Sequence, residues 1–375
     1  MLYRNYGNTG LKVSALGFGC MRLPMNGDEI VDELAIPMIR KAIDLGVNYI
    51  DTALGYCASK SEITVGKALK DGYREKIILS TKNPVWEADG DKWRKVLEEQ
   101  LTKLDVSQID VYHFHGINWK AYTETLSAPG GPIEASRKAQ DEGLIRFRSF
   151  SFHDAPENMI KLADTGEFAG VTCQYNLLDR VNEDSIAYLK EKGMGVVIMG
   201  PVGGGRLGGP PSEELAKLIP GGAKSTPEAA LRFVLANPNV SVALSGMSTM
   251  EHVLENTATA SRAEPLSDAE RAKIADMLEE NKRLAELYCT GCNYCMPCPQ
   301  NVDIPGNFRL LNYNRVFGLK EYSRSSYAEL GARMDKGVSA PSWAASCLEC
   351  GQCEPKCPQH IPIPEKLKEV DKTLG

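Results

Sequence analysis

The stretch Val47-Asn48-Tyr49-Ile50-Asp51-Thr52-Ala53-Leu54-Gly55-Tyr56 decides how the rest of the chain is read. Its first half is an apolar, strand-like run and its second half opens into a turn. Asp51 and Tyr56 therefore stand just past a strand's C-terminal end. An acid and a phenol on one such loop can converge on a single pocket. Taken alone, the stretch has a plainer explanation: Asp51 caps the next helix and Tyr56 packs half-buried. Recurrence of the pattern along the chain decides between the two.

Outward from this stretch, short apolar runs alternate with amphipathic helical patterns. Strands are predicted over 13–18, 47–50, 76–81, 109–114, 145–151, 171–175, 195–199 and 240–245. Helices are predicted over 32–45, 60–70, 91–104, 132–142, 156–165, 182–192, 227–237 and 250–259. Eight strands, each followed by a helix, predict a closed parallel (β/α)8 TIM barrel of the α/β class. An open doubly wound sheet would also alternate, but no G-x-G-x-x-G follows the first strand. Residues 2–12, with Gly7-Asn8-Thr9-Gly10 at their centre, predict a hairpin plugging the bottom of the barrel.

One such barrel takes about 250 residues, and the chain has 375. The expected division is a barrel over 1–264, a linking helix over 265–287 and a small, mainly α-helical domain over 288–375. Ser267 and Glu270 would form the capping box of the linking helix. A hydrophobic content of 43% with 25% charged residues is that of a soluble globular protein. The net charge of −6 argues against a nucleic-acid or anionic-membrane surface. No apolar run reaches the roughly 20 residues of a membrane span, and the N-terminus lacks a secretory pattern. A cytoplasmic protein is expected. Of eleven cysteines, Cys20, Cys57 and Cys173 are scattered and the other eight crowd into 289–357. In a reducing compartment such a cluster points to metal binding rather than disulfides.

In barrels of this kind chemistry sits on the loops after the strands. Those loops carry Asp51 and Tyr56, then Lys82, then His115, Ser151, and Gln174 with Asn176. Gly203-Gly204-Gly205-Arg206 follows the seventh strand and Ser245-Gly246-Met247-Ser248 the eighth. Each has a dull explanation alone: Lys82 as a solvated charge, His115 as a satisfied core imidazole, the glycine run as a mobile loop. Four ionisable groups on three successive strand ends suit one reaction. Carbonyl reduction by hydride needs a proton for the oxygen as it becomes an alkoxide. A phenol, with a pKa of roughly 10, becomes a better donor beside an ammonium, which a carboxylate holds charged and oriented. An imidazole can hold the carbonyl oxygen in line. Tyr56, Lys82, Asp51 and His115 match these four roles.

The residues that carry a family resemblance are Leu16-Gly17-Phe18-Gly19, Asp51-Thr52-Ala53 with Tyr56, Ser80-Thr81-Lys82 and Asp110-Val111-Tyr112-His113-Phe114-His115. Ser149-Phe150-Ser151, Gln174-Tyr175-Asn176 and Glu255-Asn256 complete the set. Across the barrel the chain resembles the aldo-keto reductase superfamily, with its Asp-Tyr-Lys-His tetrad. The resemblance implies NAD or NADP as cofactor and a small carbonyl or alcohol as substrate. It also implies that Ser151 and Gln174 bind the nicotinamide carboxamide, and that Glu255 and Asn256 bind the adenine end. Phe152 stands where the family commonly has Asn, and Met199 replaces the aromatic that stacks on the nicotinamide. Met21 replaces a pocket Trp. Gly246 and His252 fall where basic residues clamp an NADPH 2′-phosphate, and losing an Arg there loses a bidentate partner. NADPH is expected to have no built-in advantage over NADH. Arg206 is the remaining candidate for the pyrophosphate. Cys57 reads as small buried packing rather than a pocket thiol.

In the C-terminal region, Cys289-x₂-Cys292-x₂-Cys295-x₂-Cys298-Pro299 is followed by Cys347-x₂-Cys350-x₂-Cys353-x₃-Cys357-Pro358. The second run matches the bacterial ferredoxin pattern C-x₂-C-x₂-C-x₃-C-P, and the first differs from it by one residue. In two-cluster ferredoxins the fourth Cys ligates the other cluster. Cys289, Cys292, Cys295 and Cys357 are thus expected on one [4Fe–4S] cluster, and Cys347, Cys350, Cys353 and Cys298 on a second. Two Cys₄ zinc sites are the weaker option, because zinc takes separated C-x₂-C pairs. The helical spacing of Phe308, Leu310, Leu311, Val316, Phe317, Leu319, Tyr322, Tyr327 and Leu330 makes the region resemble α-helical ferredoxin domains. The fused arrangement resembles iron–sulfur-containing aldo-keto reductases.

The expected activity is carbonyl/alcohol interconversion by an oxidoreductase coupled to electron transfer through the clusters, with a ferredoxin or another redox protein as partner. A flavin normally joins hydride to one-electron chemistry, and the chain carries no dedicated flavin motif. Clusters that only staple the fold, or a barrel serving as a docking scaffold, are the alternatives.

Overall fold

The computed structural model describes residues 1–177, 179–202, 225–262, 295–315, 318–332, 341–357 and 360–375, with Ala269, Ala272, Asp276 and Cys289 as single residues. They fall into two compact units, one holding the described residues up to Val202 and from Pro227 to Arg262, the other Ser225, Thr226 and those from Ala269 onward.

In the first unit β1 (Tyr3–Asn5) and β2 (Lys12–Ser14) pair antiparallel, as the glycine-rich turn between them requires. The first barrel strand, β3 (Leu16–Gly19), follows at once. The predicted strand over 13–18 thus splits at Ala15, its first half belonging to the plug. A small hairpin, β4 (Met25–Asn26) with β5 (Glu29–Ile30), precedes α1 (Asp32–Asp44) and β6 (Tyr49–Asp51). Then come α2 (Ser61–Ala68), β7 (Ile78–Asn83), α3 (Gly90–Leu104), β8 (Ile109–Ile117), α4 (Pro132–Asp141) and β9 (Ile145–Phe152). The last repeats are α5 (Pro156–Asp164), β10 (Gly170–Gln174), α6 (Glu183–Glu191), β11 (Gly195–Met199), α7 (Thr226–Ala236), β12 (Val242–Ser245) and α8 (Met250–Ser261). The eight strands β3 and β6–β12 close into a parallel barrel, Ala243 of β12 lying opposite Leu16 of β3. It is a (β/α)8 barrel.

Local chemistry sets the helix ends. The Asp89 side chain caps α3 by accepting from the Lys92 N–H at 2.8 Å, and α3 stops at Asp105 in the left-handed region. Proline opens α4 and α5, where its missing N–H costs nothing. α1 buries Ala35, Met38, Ile39, Ala42 and Ile43, the three-and-four spacing of a helix with one apolar face.

Side chains alternate along a strand, so inward positions form tiers. The lowest tier is apolar: Ile78, Val111, Val197 and Val242 meet Tyr6, Leu11 and Val13 from the plug. Each such Val or Ile contributes about 1.5–3 kcal/mol by leaving water. Tyr6 lies over Gly170 and Gly195, where any Cβ would collide with its ring or hydroxyl. The Arg4 guanidinium donates to the carbonyls of Leu235, Asn237 and Val240, which follow or end α7. Asp110 joins three neighbouring segments by accepting from Arg74 and the Leu79 N–H at 2.9 Å and from Arg146 at 2.8 Å. Above the apolar tier stand Ser80, His113, Ser149 and Thr172, and above these Asp51, Lys82, His115, Ser151 and Gln174.

The second unit packs α9 (Ile304–Arg315), α10 (Lys320–Ala332) and α11 (Ile363–Leu374) around Ile304, Phe308, Leu311, Tyr327, Leu367 and Val370. Tyr327 stacks on Trp343 at 5.7 Å and donates its hydroxyl to Asp371 at 2.5 Å. The helix predicted over 265–287, with Ser267 and Glu270, lies outside the described residues apart from three single positions, as do Val316 and Phe317. No helix among the described residues is long and apolar enough to cross a membrane.

Candidate active site

Asp51 closes β6, and Lys82 and His115 stand near the upper ends of β7 and β8. The latter two were expected on the loops; the strands run two and three residues further than the apolar pattern, because inward polar residues continue the ladder. Rigid backbone therefore aims both groups. Lys82 Nζ donates to Asp51 Oδ2 at 2.6 Å and to the Thr52 carbonyl at 2.8 Å. An ammonium has three hydrogens, which leaves one for Tyr56. Burial works against the Lys82 charge, but Asp51 and then the Tyr56 hydroxyl outweigh it and hold its pKa above that of an ordinary lysine. Nζ also lies 5.0 Å from the Tyr56 ring centroid.

His115 meets Tyr56 edge-on, with ring centroids 6.2 Å apart and planes at 83°. Burial, then the Lys82 charge, then His153 push its pKa down to about 4. At neutral pH it is an uncharged imidazole able to donate or accept. Trp86 Nε1 donates to the His115 carbonyl at 2.8 Å and fixes its backbone.

Tyr56 is held by an unusual turn. Cys57, Ala58 and Ser59 have φ of 50°, 53° and 66°, three successive non-glycine residues in the left-handed region, at a cost of about 1–2 kcal/mol each. The Lys60 and Ser61 N–H groups both reach back to the Tyr56 carbonyl at 3.2 Å. Burial raises the Cys57 thiol pKa, so it is not an activated nucleophile.

Three contributors were missed from sequence. Glu62, buried in α2, accepts from Thr81 at 2.7 Å and from Gln100 at 2.6 Å, and Gln100 also donates to the Lys82 carbonyl at 3.0 Å. Its position one residue after Ser61, on a polar helix start, reads as surface. Arg22 runs its stem along Gly246, within 3.4–3.6 Å of where a Cβ would stand. Only the closure of β3 against β12 brings it there. Ser80 donates to Asp51 Oδ1 at 2.8 Å, a contact that its place inside a strand does not mark in sequence.

The residues expected to hold a dinucleotide are placed as follows. Ser151 Oγ accepts from the Gly116 N–H at 2.7 Å at the top of the barrel. The Gln174 amide lies against Gly200, 2.9 Å from where a Cβ would stand, and Met199 ends the adjacent strand. Asn176 donates to the Gly200 carbonyl at 3.1 Å. Ser245 accepts from Asn256 at 3.0 Å on the helix side of β12. Gly246 is exposed, Met247 is buried, and the loop runs into the N-terminus of α8, capped by Thr249. The Ser248 N–H meets His252 Nδ1 at 3.4 Å, and Glu255 lies on α8. An open glycine shelf beside an arginine stem and a helix N-terminus fits a nucleotide's phosphates. Met21, 58% exposed, fits a pocket wall. Gly203 and Arg206 lie outside the described residues.

In the second unit none of the described cysteines is in a disulfide. Burial raises the pKa of Cys347 and Cys353, and the charges of Cys298 and Cys350 raise both further. The four thiols thus stand within electrostatic reach of one another, a donor set suited to an iron–sulfur cubane. Among the described residues no three potential ligands converge as tightly as a single metal ion requires, and a cubane sets its thiolates further apart. Cys289, Cys295 and Cys357 are described, and Cys292 is not.

Comparison with known proteins agrees with this geometry. A profile described as "Aldo/keto reductase family" matches residues 15–279, and one described as "4Fe-4S dicluster domain" matches residues 288–361. L-galactose dehydrogenase of Arabidopsis thaliana is 31% identical over 307 residues, 75% of this chain and 95% of that protein. NADH-specific methylglyoxal reductase of Escherichia coli (strain K12) is 27% identical over 330 residues, 74% of this chain and 98% of its own. Among solved structures, the holo form of aldo-keto reductase AKR11C1 from Bacillus halodurans superposes with a TM-score of 0.65 at 29% identity, covering 74% of this chain and 96% of that one.

Proposed function

We propose, from the premise that this chain belongs to the aldo/keto reductase family and is an oxidoreductase with a C-terminal 4Fe-4S domain, that its barrel interconverts a small carbonyl compound and the corresponding alcohol. Tyr56 is the general acid–base, Lys82 its cationic partner, Asp51 the anchor of Lys82, and His115 the group that orients the substrate oxygen. The observation that carries this reading is the Lys82 ammonium, fixed at 2.6 Å from Asp51 and 2.8 Å from the Thr52 carbonyl with one hydrogen left for the phenol. A hydroxyl in that place can give a proton to a developing alkoxide and recover it in the reverse direction. The neutral His115 imidazole can hold the substrate oxygen without adding charge.

A nicotinamide nucleotide supplies the hydride when bound. Ser151, Gln174 and Met199 would hold its nicotinamide end. The backbone of Ser245, Gly246, Met247 and Ser248, and Glu255 and Asn256 beyond, would hold its phosphate and adenine end. With Gly246 and His252 in place of a basic clamp, NADH binds at least as well as NADPH, in keeping with an E. coli relative named as NADH-specific. Met21 lines the substrate pocket. Residues 288–375 hold two [4Fe–4S] clusters, on Cys289, Cys292, Cys295 and Cys357 and on Cys298, Cys347, Cys350 and Cys353, and exchange electrons with a ferredoxin or similar partner in the cytoplasm.

The test is Tyr56→Phe. It keeps the ring and removes the proton, and a loss of about a thousandfold in kcat for aldehyde reduction is expected; wild-type turnover would reject the assignment. Fluorescence titration with both nucleotides checks the cofactor, and clearly tighter NADPH would reject that part. Anaerobic addition of the reduced nucleotide should bleach the cluster absorbance if barrel and clusters are coupled. Clusters unmoved by it would leave them as structural staples.

A further inference from the structure

Beneath Lys82 and His115 on the same strands stand Ser80 and His113, two residues earlier and one tier deeper, both fully buried. Ser80 Oγ donates to Asp51 Oδ1 at 2.8 Å, and His113 Nε2 lies 3.0 Å from the same Oγ. The hydrogens in this string can be counted. A carboxylate only accepts, and a serine hydroxyl has a single hydrogen. With that hydrogen given to Asp51, Ser80 can only accept from His113, so the imidazole carries its hydrogen on Nε2. The opposite nitrogen, Nδ1, is buried and has no partner at full hydrogen-bond geometry, and the Phe150 backbone lies close enough to the ring to act on it.

A second charge here would be costly. Burial and then the Lys82 charge push the ring toward its neutral form, against a weaker pull from the Phe150 backbone, and His115 adds in the same direction as Lys82. Lys82 and His115 are the titratable groups whose charge the ring feels. A neutral imidazole whose other nitrogen resists the proton is a fixed donor rather than a base.

We propose that His113 is a positioning residue: its Nε2–H commits the Ser80 hydrogen to Asp51 Oδ1 and so holds the carboxylate with Oδ2 toward Lys82. Asp51 then has two anchors on two strands, β7 through Ser80 and Lys82, and β8 through His113. Without the imidazole hydrogen the Ser80 hydroxyl is free to turn, the carboxylate loses an anchor, and the ammonium that serves Tyr56 wanders. The inference rests on the Tyr56 and Lys82 roles proposed above.

Two variants and one spectrum test it, all on the cluster-loaded full chain. His113→Leu removes the donor and should lower kcat about tenfold with KM unchanged, as expected for a lost hydrogen bond to a charged network. His113→Gln places an amide N–H near the same point and should restore turnover to within about threefold. Ser80→Ala should match His113→Leu, and the double variant should be no worse than Ser80→Ala alone, because members of one string are not additive. A purely structural histidine would lower the melting temperature in His113→Leu and leave kcat of the folded enzyme unchanged. Independently, ¹⁵N NMR of the histidine rings, with His113→Gln for assignment, should give His113 as the Nε2–H tautomer from pH 5 to 9. Additive losses, an Nδ1–H tautomer or a titration within that range would overturn the inference. If Tyr56→Phe proves fully active, the parent reading falls while the tautomer still decides the string. If Tyr56→Phe is inactive and His113→Leu turns over normally, this inference alone falls.

Discussion

The barrel and the C-terminal region hold their reactive groups by opposite means. In the barrel, Asp51, Lys82 and His115 are aimed by strands held in a closed ladder over an apolar lower tier. In the C-terminal region, Cys353 and Cys357 flank the short turn Glu354–Lys356 and the other described cysteines stand on loop, with Cys350 itself exposed. Thiols gathered there repel once ionised, and only a cluster's positive charge makes the gathering favourable. The difference teaches where each site is vulnerable: one through its buried charges, the other through its metal.

The largest effect expected from this contrast is Cys353→Ala. It should remove about half of the bound iron and abolish protease resistance of residues 295–375, while the barrel's melting transition stays where it was. A barrel that melts earlier with the iron gone would break the contrast. Next is Lys82→Met, which leaves Asp51 charged and unpaired in the interior. A loss of about 3–5 kcal/mol in urea unfolding of the barrel is expected, with iron content unaltered. A change below about 1 kcal/mol would mean that water reaches the pair.

Acid sharpens the comparison further. The folded pKa of His115, about 4, lies below the free imidazole value of roughly 6.5. As pH falls, the unfolded chain takes up the proton first. Stability is therefore complete above pH 6.5, declines as pH drops toward 4, and levels off below, by about 3 kcal/mol for this group. His113, lowered in the same sense, steepens the decline. Urea midpoints at pH 7.5 and 4.5 measure it, and equal midpoints would contradict it. Smallest is Ala58→Gly in the left-handed turn after Tyr56. Removing the Cβ should stabilise the barrel by about 1 kcal/mol, read as a rise in melting temperature. A fall would place the strain elsewhere.

Much of the fold was legible because strand alternation and helix spacing survive in sequence. The predicted strand over 195–199 coincides with Gly195–Met199, and the predicted helix over 132–142 differs from Pro132–Asp141 by one residue. Asp51, Lys82 and His115 were legible as ionisable groups at the ends of apolar runs. His113 and Ser80 were not, since a polar residue inside a strand carries no mark of which side it faces until its neighbours are fixed. The left-handed turn at Cys57, Ala58 and Ser59 was hidden for a related reason: without glycine or asparagine there is no turn signal. Ser245 shows a reading that period two could have refined. Val242 and Leu244 face inward, so Ser245 faces the helices, where Asn256 binds it.

The clasp of Arg4 on the carbonyls of Leu235, Asn237 and Val240 has a consequence for biosynthesis. Arg4 finds its full seat only once the chain has been made through Val240, 236 residues further on, and Tyr6 waits as well for Gly170 and Gly195. At about 5–20 residues per second, that is an interval of roughly 12–47 s in which the hairpin lacks these partners and is open to chaperones. The hairpin is made before the barrel strands and cannot complete its docking until α7 and the turn after it have been made.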